Sequence, residues 1–211
     1  MTKIQLLSDT HSNKFTIDES VDFAIHAGDI TNQGKRQNFS SLRWNKSIKS
    51  FINKNNIPIY WIPGNHDVGF KNDYYINGGI NVLEKTIYYK DISIKGVSLS
   101  VAYSQPLLSD YWDHMTSIES EESEYYGTFL NEYVDIVVSH SPPSGDIATE
   151  VLCGNLGSKC LLEYIVNFQP KLVVCGHVHN PFTREVTIGK TKVINVAKYH
   201  TTIDYENYIL K

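Results

Sequence analysis

The sequence has no excess of positive charge, no long apolar run and too few cysteines to staple a fold. Lysine and arginine total 19 against 23 aspartates and glutamates, a formal net charge of −4. The chain as a whole therefore offers no general attraction to a nucleic-acid backbone, which is gripped by clustered basic side chains. Small substrates are favoured over long polyanions. The three cysteines, Cys153, Cys160 and Cys175, are an odd number. With no charged-then-apolar leader to mark export, they read as reduced, packed thiols in a cytoplasmic protein rather than as a disulfide framework. The apolar runs, such as Val134–Val138 and Leu172–Cys175, are strand-sized and too short to span a bilayer, so no membrane association is expected.

What is present fits one globular domain spanning residues 1–211. The length suffices for a sizeable core, and the hydrophobic (41%) and charged (20%) fractions exclude a disordered or fibrous chain. Lys3–Leu7, Val21–His26 and Ile57–Ile62 are short apolar runs, each feeding a polar or glycine-containing turn, the pattern of buried strands. Leu42–Asn53 carries apolar residues at rough helical spacing between the second and third of them, predicting strand, helix, strand alternation. Thr86–Tyr103 alternates β-formers with polar residues around Lys95-Gly96, predicting an antiparallel hairpin and hence a mixed sheet. Ser109–Tyr126 is polar, acidic and aromatic and reads as a solvated helix or loop. Val134–Val138 and Leu172–Cys175 are two further strands, separated by a helix over Ser158–Phe168 that Pro170 terminates. A terminal hairpin is predicted from Arg184–Ile188 and Lys192–Val196 about Gly189.

Five polar clusters each follow a predicted strand: Asp9 with His11, Gly28-Asp29, Gly64-Asn65-His66-Asp67, His140, and His177 with His179. Ligands of open α/β sheets bind at strand ends, so clusters far apart in sequence can converge there. Taken singly each is ordinary. Asp-x-His occurs in solvated loops, Gly-Asn-His-Asp makes a tight turn, and Gly-His-x-His fits a half-buried strand. Together they supply the oxygen and nitrogen donors that two divalent cations need, with a carboxylate able to lie between them. A donor set of imidazole and carboxylate without thiolate suits Mn²⁺, Fe²⁺ or Zn²⁺ rather than a cysteine-bound structural zinc.

In this order the clusters resemble the signature of the calcineurin-like metallophosphoesterases, over nearly the whole chain. Leu7-Ser8-Asp9-Thr10-His11-Ser12, His26-Ala27-Gly28-Asp29-Ile30-Thr31 and Ser139-His140-Ser141-Pro142-Pro143-Ser144-Gly145 are similar to the metallophosphoesterase-domain-containing (fetal-brain 239) subgroup of phosphodiesterases. The resemblance implies an α/β fold of layered α-β-β-α type, a mixed two-sheet core flanked by helices. It implies two divalent ions, manganese first with iron, zinc or nickel as alternatives. Asp9, His11 and His179 would hold one, Asn65, His140 and His177 the other, and Asp29 would bridge them. It further implies hydrolysis of a phosphodiester, small or nucleotide-like with a cyclic nucleotide as one candidate, by in-line attack of a metal-bound hydroxide. His66 would face the scissile phosphate, and Asp67 would orient its imidazole and keep it protonated. Thr31-Asn32-Gln33-Gly34 stands where Ser/Thr protein phosphatases carry Asp-Arg-Gly, which argues against a protein substrate. A nuclease or phosphomonoesterase on the same site is the alternative within this chemistry; a metal-bound interaction scaffold is the alternative outside it.

His26, His114 and His200 lie outside the motifs and read as core or surface histidines, and Asn195 as a turn former at a strand end. Tyr103, Tyr111, Trp112, Tyr125 and Tyr126 read as packing residues, with stacking on a nucleobase as their alternative.

Overall fold

The computed structural model describes residues 1–31, 51–67, 79–98, 100–101, 116–117, 127–150 and 154–210. Eleven of its strands form two sheets. In chain order these are β1 Lys3–Leu7, β2 Phe23–His26, β3 Ile59–Trp61, β4 Gly79–Asn81, β5 Thr86–Tyr89, β6 Ile92–Val97, β7 Ile136–Ser139, β8 Leu172–Cys175, β9 Glu185–Ile188, β10 Thr191–Asn195 and β11 Thr201–Asp204. The first sheet runs β11-β1-β2-β3-β4 and the second β9-β10-β8-β7-β6-β5. In each the inner strands are parallel. Antiparallel partners close the edges, β11 on β1 in the first sheet, and β9 on β10 and β5 on β6 in the second. Helix α1, Lys159–Phe168, and the short α2, Tyr205–Ile209, complete the labelled elements. This is the mixed α/β two-sheet architecture that the resemblance implied.

The apolar runs explain the layering. Successive side chains of a strand point to opposite faces, so a strand covered on both faces is apolar at nearly every position. Ile4 and Leu6 of β1, Phe23 and Ile25 of β2 and Tyr60 of β3 meet Ile94, Ile136, Val138, Leu172, Val174 and Ile194 of the second sheet in one central core. The alternate residues Val137, Val173, Cys175 and Val193 face the other way and are covered by Leu161, Tyr164 and Ile165 of α1. On the first sheet, Ala24, Ile59 and Trp61 are covered by Ile17, Val21, Ile30 and Ile57. Each Val, Leu, Ile or Phe side chain taken out of water in this way contributes about 1.5–3 kcal/mol.

Local signals set the helix. Ser158 caps α1 by accepting the Leu161 amide at 2.8 Å, Gln169 closes it in the left-handed conformation, and Pro170 follows. The thiol of Cys175 donates to the Ile194 carbonyl, and burial pushes its pKa up, as suits a packed thiol. Among the described residues no helix is long and apolar enough to cross a membrane.

Several expectations need correction. The hairpin of β5 and β6 exists, but its turn is Lys90-Asp91, with Lys90 at φ 54°, not Lys95-Gly96. Gly96 lies within β6 because a Cβ there would strike the Ile62 side chain and the Val82 carbonyl; it serves a close approach. The helix expected over Leu42–Asn53 lies outside the described residues except at its end, where Phe51–Ile52 pair with Phe15–Thr16 as two-residue strands. The expectations for Ser109–Tyr126, His114, Cys153 and the five aromatic residues also fall outside the described residues, apart from the two-residue strand Thr116–Ser117. Strands β4 and β11 and helix α2 had no counterpart in the sequence reading.

Candidate metal centre

Because β1, β2 and β3 run parallel in one sheet and β8, β7 and β6 in the other, the polar clusters all leave from C-terminal strand ends. Backbone hydrogen bonds then lash the emerging loops together. The Asp9 amide donates to the Gly28 carbonyl (2.9 Å), His11 to Asp29 (3.0 Å), and Gly176 to His140 (2.9 Å). Asp9, His11, Asp29 and His177 all sit at positive φ, 54°, 45°, 55° and 66°. Non-glycine residues rarely adopt this conformation, and it clusters at functional sites because packing must enforce it. Gly64 is required for a different reason: a Cβ there would run into the Asp29 carboxylate and, at 2.7 Å, into Cε1 of His140.

The side chains converge in two groups. His179 Nε2 lies 3.0 Å from Asp9 Oδ1 and 3.4 Å from His11 Nε2. Asn65 Oδ1 lies 3.0 Å from both His140 Nε2 and His177 Nδ1. Asp29 stands between the groups. Its Oδ2 is 3.8 Å from His11 Nε2, and its Oδ1 is 3.4 Å from His140 Nε2. His66 Nε2 is 3.8 Å from Asp29 Oδ2, and its ring meets that of His11 edge-on with centroids 4.9 Å apart. Ligand atoms of Asp9, His11 and His179, of His11, Asp29 and His66, and of Asp9, Asp29 and His140 lie within 4.8 Å of one another. His66 is thus within reach of a cation as well as of the cleft.

The donor chemistry fits divalent cations. Converging oxygen and imidazole nitrogen atoms with no thiolate are the donors that such ions of intermediate softness accept. The pKa shifts show how heavily this cluster is coupled. Burial raises the proton affinity of Asp9, but hydrogen bonds from His179 and Ser8 and the charge of His140 hold its carboxyl well below the usual range. Burial disfavours a charged His140, yet Asp29, Asp9 and the Ala27 carbonyl raise its pKa to about 9. His177 is pushed down to about 4 by burial and by His140. A protonated His140 balances the buried carboxylates, a charge that a cation would supply in its place. His140 also holds the Ala27 carbonyl through Nδ1 at 2.8 Å, which aims Nε2 at Asn65.

The structure brings Asp9, His11, Asp29, Asn65, His66, His140, His177 and His179 to one place. Asp67 has a further role. Its carboxylate accepts the backbone amides of Thr31 (2.7 Å), Gly64 (2.8 Å) and Ile30 (3.1 Å), so it ties the Asp29 loop to the Asn65 loop. All three donors are main-chain amides, which gives Asp67 a loop-tying role. His26 is a core histidine, fully buried, 3.0 Å from the Thr10 hydroxyl and pushed to a pKa of about 3 by burial.

Two supporting residues were missed. Asn195 is completely buried, donates to the Val178 carbonyl (3.0 Å) between the two histidines of that loop, and accepts the Ala197 amide (2.9 Å). Arg184 donates to the carbonyls of His179 (3.0 Å) and Ala197 (3.1 Å) and lies over the Tyr199 ring. The one signal for Asn195 was its strand-end position in line with the ligand clusters; Arg184 carried none.

A cavity of about 930 Å³ opens beside Asp9, His11, His66 and His179 and continues over Lys14, Phe15 and Lys198–His200.

Residues 2–181 match the family model of the Calcineurin-like phosphoesterases. The chain is similar to a UPF0046 protein of Caenorhabditis elegans, 26% identical over 212 residues, 93% of this chain and 69% of that one. It is also similar to a 3′,5′-cyclic-nucleotide phosphodiesterase of Nostoc sp., 23% identical over 78% of this chain and 58% of that protein. Phosphopantetheinyl hydrolase of Mycobacterium tuberculosis shares the fold, with a TM-score of 0.58 at 14% identity over 93% of this chain and 89% of the other.

Proposed function

The chain belongs to the calcineurin-like phosphoesterase family, and on that premise we propose that it hydrolyses a phosphodiester, small or nucleotide-like, at a site for two divalent cations. Asp9, His11 and His179 would hold one, Asn65, His140 and His177 the other, with Asp29 shared. The observation that carries this reading is Asp29 itself: its two oxygens face opposite ligand groups, Oδ2 towards His11 and Oδ1 towards His140. The imidazole and carboxylate donors favour manganese, with iron, zinc or nickel as alternatives. Preference for a diester is supported by the similarity to the cyclic-nucleotide phosphodiesterase of Nostoc. Kinship with the fetal-brain 239 subgroup is part of the same proposal, supported by the long motif stretches around Asp9, Asp29 and His140 and consistent with the UPF0046 relative.

When bound, divalent cations supply charge that polarises phosphate oxygens and lowers the proton affinity of water. The chain's own contribution is positional. Gly64 and Gly28 let backbone lie against Asp29 and His140, and Asp67 clamps the two loops through main-chain amides. Asn195 and Arg184 hold the His177–His179 loop from behind. His66, facing the cavity beside Asp29, is placed to stabilise charge on the phosphate or to protonate the leaving alkoxide. Full turnover of a poor leaving group by a metal-loaded His66→Ala protein would exclude that role.

The test is hydrolysis of bis-p-nitrophenyl phosphate beside p-nitrophenyl phosphate with Mn²⁺, for the wild type and Asp29→Ala. Diester cleavage that requires Mn²⁺ and falls to background in the variant is expected. A monoester preference would redirect the reading to a phosphatase. Silence on both esters with metal bound would make the chain a metal-binding scaffold.

A further inference from the structure

The cavity beside the candidate metal centre is asymmetric. It touches the Asp9, His11, His66 and His179 side, and Asn65, His140 and His177 do not line it. Among the described residues, the space for the remaining part of a substrate whose phosphate sits at the centre lies over this side. Among the described lining residues Asp9 is the only acid, whereas Lys14, Lys198 and His200 add basic groups beyond the ligand histidines. In a chain of net charge −4, that local reversal of sign needs a reason.

Both lysines stand on braced turns. Lys14 follows Asn13, whose amide donates to the Thr10 carbonyl at 2.8 Å. Lys198 is at φ 51° in a turn closed by the Tyr199 amide on the Val196 carbonyl at 3.0 Å. Arg184 takes the preceding carbonyl, that of Ala197. The two loops meet where the Phe15 ring stands edge-on to His200, with centroids 5.1 Å apart. Aromatic rings thus join the two loops that carry the lysines. Tyr199, nearly half exposed at 46%, is held beneath the Arg184 guanidinium. Aromatic faces stack on planar bases, and paired ammonium groups draw phosphate oxygens.

We propose that the cavity lined by Lys14, Phe15, Lys198 and His200 is a subsite for a nucleotide-type group that carries a second phosphate beyond the one at the metal centre. The proposal rests on the phosphoesterase reading and sharpens it. A base would lie against Phe15 and His200 while the second phosphate reaches Lys14 and Lys198. It distinguishes the substrate from a simple alkyl or aryl diester, and from a nucleotide whose single phosphate is the scissile one.

The experiment is calorimetric binding of thymidine 3′,5′-bisphosphate and thymidine 3′-monophosphate to the Mn²⁺-loaded protein, in the wild type, a Lys14→Gln/Lys198→Gln double variant and Lys198→Arg. The wild type is expected to bind the bisphosphate about tenfold more tightly than the monophosphate, a preference that weakens with added salt. The double variant should bind the two ligands alike, and Lys198→Arg should retain the preference. Equal affinities in the wild type, or a preference that survives in the double variant, would overturn the subsite. This readout needs no turnover. Failure of the subsite is therefore separable from failure of the phosphoesterase reading, which bis-p-nitrophenyl phosphate hydrolysis by the wild type reports.

Discussion

Asn195→Ala should destabilise the protein and weaken its grip on metal together, although Asn195 is not among the proposed ligands. The side chain is entirely buried. Its amide nitrogen donates to the Val178 carbonyl at 3.0 Å and, less closely, to Ile147 at 3.4 Å, and its oxygen accepts the Ala197 amide at 2.9 Å. Alanine would leave the Val178 carbonyl and the Ala197 amide unpaired in a dry interior. Each stranded group costs about 1–3 kcal/mol, so roughly 2–6 kcal/mol in all is expected. For a chain of this length the melting temperature should fall by about 2–4 °C per kcal/mol. Val178 separates His177 and His179, which belong to the two different ligand groups, so a loosened Val178 blurs both at once. Urea unfolding in chelator would give the stability change, and Mn²⁺ titration calorimetry the affinity. Asn195→Asp serves as a control, because its carboxylate still accepts from Ala197 but repels the Val178 carbonyl. If Asn195→Ala unfolds within about 0.5 kcal/mol of the wild type, the burial argument is wrong. If it loses stability but binds Mn²⁺ unchanged, the positioning argument is wrong.

Two further outcomes test other parts of the structure. Arg184→Ala should weaken Mn²⁺ binding by about tenfold, as loss of a hydrogen-bonded support behind a ligand usually does, with Arg184→Lys intermediate; unchanged affinity would remove Arg184 from any positioning role. Away from the site, burial raises the proton affinity of Asp135, but Lys171 at 2.8 Å and the amide and hydroxyl of Ser93 outweigh it, so its pKa lies below 3.8. A carboxyl that is more acidic in the folded chain stabilises fully above its unfolded pKa and loses that effect as pH falls through the folded one. Asp135→Asn should accordingly cost about 1–3 kcal/mol at neutral pH. The gap to wild type in denaturant melts should narrow below about pH 4, and a gap of constant size down to pH 2 would contradict the assignment.

The strands at the centre of the sheets were legible because parallel strands covered on both faces are largely apolar, as in Leu172–Cys175 and, Lys3 and Gln5 apart, Lys3–Leu7. The ligand clusters were legible because each directly follows such a run. Edge strands hide: β11 reads Thr-Thr-Ile-Asp, and Ile203 is its one buried residue. Gly96 misled because glycine marks both turns and close contacts, and sequence does not say which applies. At Asp67 the sequence showed only its neighbour His66, whereas the carboxylate also holds amides brought in from 36 and 37 residues away. Long-range bonds of that kind, like those of Arg184 and Asn195, leave no local pattern.

The left-handed backbone at Asp9, His11, Asp29 and His177 has a practical consequence for anyone engineering this protein. Each such residue carries a conformational cost of roughly 1 kcal/mol that glycine would relieve. A screen for heat resistance alone would therefore drift toward glycine at these four positions, gaining a sturdier chain while erasing its chemistry. Selection for durability and selection for activity pull these loops in opposite directions, so a library meant to harden the enzyme should hold these positions fixed and vary the strands beneath them.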